Sequence, residues 1–87
     1  MRHEWDVRLI FEEDGSHTRC EAQLAGVRAP GVASHGESTC SPVDRPERKI
    51  GEELAASRAL SALARKLLAQ ASGDIEDETR RPAHLLH

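Results

Sequence analysis

The chain has 87 residues, a formal net charge of −3 at pH 7 and two aromatic residues, Trp5 and Phe11. This length predicts one domain over residues 1–87 with a small core, and the mild negative charge excludes a strongly basic nucleic-acid coat protein. Two cysteines are too few for a disulfide framework, and no segment has the layout of a signal peptide or the apolar length of a transmembrane helix. We therefore expect a cytoplasmic protein with reduced thiols.

Two stretches of alternating apolar and polar residues predict a β-hairpin near the start of the chain. Trp5 to Glu12 and Thr18 to Leu24 both alternate with a period of two residues, which is typical of half-buried strands. The segment between them contains Gly15, which accepts the positive φ that a tight turn needs. The side chains expected to face the core are Trp5, Val7, Leu9, Phe11, Thr18, Cys20, Ala22 and Leu24.

The position of the turn predicts the hairpin register. A turn centred on Asp14 and Gly15 places apolar residues opposite apolar residues on one face and complementary polar residues opposite each other on the other face. The predicted pairs are Trp5 with Leu24, Val7 with Ala22, Leu9 with Cys20, Phe11 with Thr18, Arg8 with Glu21 and Glu12 with His17. A slip of one residue would reverse both faces, so the pattern favours this register over its immediate neighbours.

A third strand is predicted from Arg28 to Ser34, with Pro30 at its start or on a sheet edge. The polar residues from His35 to Ser41 are typical of a loop. The segment from Pro42 to Pro46 is also predicted to be a loop because two prolines bracket it.

The longest periodic segment predicts a helix from about Glu47 to Ala71. Apolar residues recur there at steps of three and four, and no proline interrupts them. The stripe expected to face the sheet consists of Ala56, Leu60, Leu63, Ala64, Leu67 and Ala71. Ser72 and Gly73 are expected to end this helix, and Asp74 to Thr79 to form a short second one.

The resulting fold class is α+β, in the order β-β-β-α-α. It consists of a three-stranded antiparallel sheet with the long helix across one face, followed by the short C-terminal helix.

Candidate catalytic and metal-binding residues do not form a recognisable constellation. Cys20 is expected on the buried face, where a small structural role is favoured over that of a nucleophile. Cys40 is expected in a loop, where exposed thiol reactivity stays open. The histidines and cysteines lack the spacing of a metal site, and the glycines lack a phosphate-binding pattern. We therefore expect neither an enzyme nor a cofactor, and no small-molecule substrate is evident.

Cations cluster at the predicted start of the long helix. Arg45, Arg48 and Lys49 lie where the positive end of the helix dipole and exposed amides favour a phosphate, and Arg65 and Lys66 extend a basic edge along the helix. The alternative is an ordinary solvated helix start whose charge is offset by neighbouring glutamates. These five residues are our candidate RNA-binding or phosphate-binding site.

Most of the chain, from Trp5 to Leu86, resembles a family of small, mainly actinobacterial domains of unknown function that are described as double-stranded-RNA-binding-domain-like. The hairpin sequence T-R-C-E-A-Q-L matches the family pattern T-R-A-x-A-x-L. The most specific matches are Ile50-Gly51-Glu52-Glu53-Leu54, Arg58-Ala59-Leu60-Ser61 and Asp74-Ile75-Glu76. The chain departs from the family pattern between Gly31 and Ser41, where the family has a more apolar third strand.

The resemblance implies a homodimer with a β-β-β-α core and no catalytic residue. One dormancy-associated member of that family is similar in shape to ribosome hibernation factors, which suggests association with the ribosome or structured RNA and silencing of translation in stress. This is an analogy of shape, and a fold alone does not fix a function. The alternative is a protein–protein interaction module without affinity for RNA.

Overall fold

Three antiparallel strands followed by one long helix make up the fold. The computed structural model describes residues 1–39 and 48–80. The strands are β1 (Trp5–Asp14), β2 (His17–Gly26) and β3 (Ala33–Thr39), and the helix is α1 (Arg48–Thr79). The strand order is β1-β2-β3, with β2 in the centre. The predicted α+β class and the sheet followed by a long helix are confirmed.

The hairpin register differs from the prediction by two residues. Leu9 lies opposite Ala22, and the tight turn consists of Gly15 and Ser16. Gly15 has a φ of 61°, and a glycine at the first position of a two-residue turn supplies the positive φ that such turns need. Because the shift is an even number of residues, every side chain stays on its predicted face. The predicted polar pairs are replaced by Arg8 with Gln23 and Glu12 with Arg19.

The third strand begins later than predicted, at Ala33, and includes most of the segment predicted to be a loop. The predicted start falls in the connection between β2 and β3, where Arg28 has a φ of 62° that no strand residue adopts. The strand has no apolar alternation, because the side chains that face the helix are those of Ser34, Gly36 and Ser38. The predicted loop from Pro42 to Pro46 lies outside the described residues.

The helix packs across β2 and β3 through small residues. A Cβ atom on Gly36 would lie 2.4 Å from the amide nitrogen of Ala59 and 2.6 Å from the carbonyl oxygen of Ala55, so only glycine permits this approach. The hydroxyl groups of Ser34 and Ser38 donate hydrogen bonds to helix carbonyl oxygens, at 2.6 Å and 2.7 Å. The buried apolar residues are Cys20, Ala22, Ala55, Ala59 and Leu63. Leu63 is the one large side chain among these buried apolar residues.

The two predicted helices form one continuous helix of 32 residues. A glycine inside a helix costs only about 1 kcal/mol relative to alanine, which is not enough to end it at Gly73. The side chain of Gln70 donates a hydrogen bond to Asp74 at 3.1 Å, across the predicted break. No helix in the described ranges is long and apolar enough to cross a membrane.

Candidate interaction surfaces

The helix-side face of β1 carries exposed apolar side chains. We call the set Trp5, Val7, Leu9 and Phe11 the β1 face. Trp5 is 44% exposed, Val7 45% and Phe11 38%, while Leu9 is half-buried against the core. The sequence predicted that all four are buried. The structure corrects this prediction for three of them, because α1 covers β2 and β3 and leaves β1 largely uncovered.

The outer edge of β3 is occupied by two side chains from the helix. Arg58 donates a hydrogen bond to the carbonyl oxygen of Glu37 at 2.6 Å, and Lys66 donates one to the carbonyl oxygen of Ala33. An unpaired strand edge can recruit another strand, and native proteins often protect such edges with charged side chains. Arg58 and Lys66 therefore cap the β3 edge.

The three cations of the predicted phosphate site whose side chains the structure describes are Lys49, Arg65 and Lys66. Arg45 and the side chain of Arg48 lie outside the described residues. Lys49 is exposed in the first turn of α1, and this turn contains no acidic residue. Arg65 is exposed farther along the helix. Lys66 is also exposed, but its amino group is engaged with the β3 edge.

Cys20 is the cysteine that the described residues contain, and it lies in the core. Cys20 is fully buried, and its burial raises the pKa of the thiol, which favours the unreactive protonated form. Within residues 1–39 and 48–80, no group of three or more His, Cys, Asp or Glu side chains is placed to hold a metal ion. Cys40 lies outside those ranges.

Sequence reasoning missed both the exposure of the β1 face and the role of Arg58. The signal that could have revealed the third strand is the alternation of small residues at Ser34, Gly36 and Ser38. A strand with only small inward side chains predicts a helix lying very close to it. A helix drawn toward β3 in this way leaves β1 at the far side of the sheet.

The fold and surfaces define a small α+β domain, in which one helix covers two of three antiparallel strands. The chain belongs to the Rv2632c-like family, whose model matches residues 3–84. It is 42% identical over 83 residues to the uncharacterized protein Rv2632c of Mycobacterium tuberculosis strain H37Rv, covering 93% of this chain and 86% of the relative. The uncharacterized protein Mb1767 of Mycobacterium bovis is 36% identical over 83 residues, covering 95% and 87%.

A solved structure has the same fold. The crystal structure of Rv2632c matches with a TM-score of 0.83 and 35% sequence identity, over 94% of this chain and 96% of that chain. The resemblance to a family of small domains of unknown function is thus confirmed as membership of the Rv2632c-like family.

Proposed function

We propose that this protein is a non-enzymatic cytoplasmic binding protein that works as a homodimer, and that its two copies meet at the β1 face. The observation that carries the proposal is the exposure of Trp5, Val7 and Phe11 on one face. A contiguous apolar surface on a small domain is typical of an interaction site. Small domains with little core commonly gain stability by oligomerising, and the buried apolar residues here are mostly alanine.

Light scattering across a range of protein concentrations tests the assembly. The expected result is a mass near twice 9.6 kDa at micromolar concentration. The double variant Val7→Lys with Phe11→Lys should be a monomer, because pairing would bring four lysines together in one symmetric contact that is otherwise apolar. The control is Ile75→Lys, which replaces a side chain of similar exposure, 40%, at the far end of the helix and should leave the dimer intact. A wild-type mass near 9.6 kDa at high micromolar concentration would contradict the proposal.

For the target of this dimer, we propose the ribosome or structured RNA, with translation damped under stress or in dormancy. The resemblance to double-stranded-RNA-binding-domain-like proteins suggests this target. One observation favours it: the first turn of α1 includes the described cation Lys49 and no acidic residue. Cations at a helix N-terminus are unfavourable to the helix dipole, and bound phosphates would relieve that repulsion. A dimer presents the cations at the start of α1 twice, so two weak contacts could act together on one large target.

Co-sedimentation with purified ribosomes at low and moderate salt tests this target. The triple variant Arg45→Ala, Arg48→Ala and Lys49→Ala should bind more weakly. The slope of its log binding constant against log salt concentration should be shallower, by up to the amount expected for about three phosphate contacts. Its unfolding free energy should change little, since exposed charges contribute little to stability.

The matched control removes the same number of charges elsewhere, as Arg2→Ala with Arg19→Ala and Arg80→Ala. All three side chains are exposed and lie outside the predicted site. The control should sediment like the wild type. An equal loss of co-sedimentation with ribosomes in both triple variants would indicate a nonspecific effect of net charge. If the wild type does not sediment at low salt, the interaction-module alternative is favoured.

A further inference from the structure

We infer that the two copies pair edge to edge through their β1 strands, with the twofold axis at Ile10, to form one six-stranded antiparallel sheet. This inference rests on the proposed homodimer and specifies its geometry. Three features support it: a protected β3 edge, an open β1 edge and the residues that the pairing brings together.

The β3 edge is the less available of the two. In an antiparallel sheet, alternate residues of an outer strand direct their amide and carbonyl groups away from the neighbouring strand. On β3 these include Ala33 and Glu37, and their carbonyl oxygens accept hydrogen bonds from Lys66 and Arg58. A strand approaching from this side would have to displace both cations.

The β1 edge is open along its centre. Asp14 and His17 flank a two-residue turn, so they form a hydrogen-bonded pair and the pairing alternates from there. Val7, Leu9 and Phe11 therefore direct their amide and carbonyl groups outward. No side chain or backbone group elsewhere in the described residues hydrogen-bonds to these groups.

Ile10 marks the position of the axis. It is 37% exposed on the face of the sheet opposite α1, and it is the only large apolar residue that the described strands place there. An axis at Ile10 packs this side chain against its own copy. The exposed apolar group thereby gains an apolar partner on an otherwise polar face.

Charge complementarity at the centre of β1 favours this axis over axes at Arg8 and Leu9. With the axis at Ile10, Arg8 of each copy lies opposite Glu12 of the other, which forms two favourable cross-strand pairs. An axis at Arg8 would place the two arginines against each other. An axis at Leu9 would place Asp6 opposite Glu12 twice. Both arrangements are destabilising, because like charges directly opposite each other repel.

The helix-side face supports the same axis. Leu9 of each copy lies opposite Phe11 of the other, so the two β1 faces merge into one apolar surface. An axis at Phe11 would instead place Leu9 opposite Glu13 and Ile10 opposite Glu12. Among residues Arg8 to Glu12, only the axis at Ile10 therefore gives apolar pairs on one face and complementary charges on the other. Farther from the axis it places Val7 opposite Glu13 and Asp6 opposite Asp14, so the favourable pairing is confined to these five central residues.

Disulfide cross-linking tests the axis. The variant Ile10→Cys, in a Cys40→Ser background, places two thiols at a non-hydrogen-bonded pair about 4.5 Å apart between Cα atoms, within the range for a disulfide. Mild oxidation should give a covalent dimer. The control Arg8→Cys, in the same background, places its two copies four residue positions apart along the strands, about 13 Å, and should stay uncross-linked.

A charge exchange provides a second, independent test. Arg8→Glu should weaken dimerisation by roughly tenfold, because each copy then sets a glutamate opposite Glu12 of the other. Adding Glu12→Arg restores the opposite charges between the copies, and Arg19→Glu keeps the pair that residue 12 makes within its own sheet. The triple variant should restore the wild-type dissociation constant to within about threefold. If Arg8 only stabilised the fold of one copy, restoring the opposite charges between the copies would not restore dimerisation.

The two tests separate this inference from the proposed dimer. A wild-type dimer by light scattering with no Ile10→Cys cross-link and no charge rescue overturns the β1 pairing and leaves the homodimer standing. A wild-type monomer overturns both, and would indicate that another segment of this chain or a different protein covers the β1 face.

Discussion

At the scale of single residues, the core depends on a few side chains whose burial the helix position decides. Leu60 and Leu63 both belong to the apolar stripe predicted from the sequence, yet Leu63 is 3% exposed and Leu60 is 41% exposed. The buried stripe repeats every four residues, through Gly51, Ala55, Ala59 and Leu63. The helix thus turns its small residues toward the sheet and leaves Leu60 at the side.

Truncation of these two leucines should have different effects. Leu63→Ala should lower the free energy of unfolding by roughly 2–5 kcal/mol, because it removes the one large buried side chain and leaves a cavity. Leu60→Ala should cost less than about 1 kcal/mol, since much of that side chain already contacts solvent. Urea denaturation of both variants measures the difference, and equal losses would show that Leu60 is buried in solution.

The buried thiol of Cys20 should make stability depend on pH. Burial raises its pKa above the ordinary value of 9.0, so the folded protein holds this proton more tightly than the unfolded chain. The stabilisation is complete below the unfolded pKa and is lost as pH rises through the folded pKa. As pH rises above the ordinary value of 9.0, the wild type should therefore lose more stability than Cys20→Ala, which has no thiol to titrate. Parallel loss in both proteins, measured by urea midpoints, would contradict this.

At the scale of elements, the contact between β3 and α1 is unusually close and partly polar. Gly36 permits the approach, and Ser34 and Ser38 donate hydrogen bonds to helix carbonyl oxygens. Together with Arg58 and Lys66 at the edge, these contacts fix the helix over β2 and β3. The sequence predicted a loop across most of this strand, because small and polar residues are atypical of strand interiors.

A methyl group at Gly36 should force the helix and the strand apart. Gly36→Ala should destabilise the protein by about 1–3 kcal/mol or more, because the added Cβ meets helix backbone that cannot move aside. The control is Gly73→Ala, which has no neighbour within 4 Å and should stabilise the helix by up to about 1 kcal/mol. Thermal unfolding monitored by circular dichroism compares the two. A neutral Gly36→Ala would show that the helix lies farther from the sheet.

At the scale of the whole molecule, the long helix extends the structure to 54 Å while the core stays small. Large apolar side chains are exposed on β1, whereas most of the buried apolar residues are alanines. A monomer with this distribution has little apolar burial to stabilise it. Folding and assembly of the proposed homodimer should therefore be coupled.

Coupled folding and assembly make the melting temperature depend on protein concentration. A tenfold increase in concentration should raise the Tm of the wild type by about 3–6 °C, because association stabilises the folded state by mass action. The Val7→Lys, Phe11→Lys variant should melt at a lower temperature that does not change with concentration. A wild-type Tm independent of concentration over two decades would exclude coupling of folding to dimerisation.

The sequence by itself determined the α+β class, the first two strands, the long helix and the burial of Cys20 and Leu63, because those features depend on local periodicity. It also determined which side chains share a face of the hairpin, since a shift of two residues preserves the alternation. The exact register depended on how Gly15 is placed in the turn. The position of the third strand depended on the helix, which packs so close to β3 that only glycine fits at position 36. Only the tertiary structure decided that α1 covers β2 and β3, caps one sheet edge and leaves the β1 face exposed, because the choice of neighbours is a long-range property that local alternation does not encode.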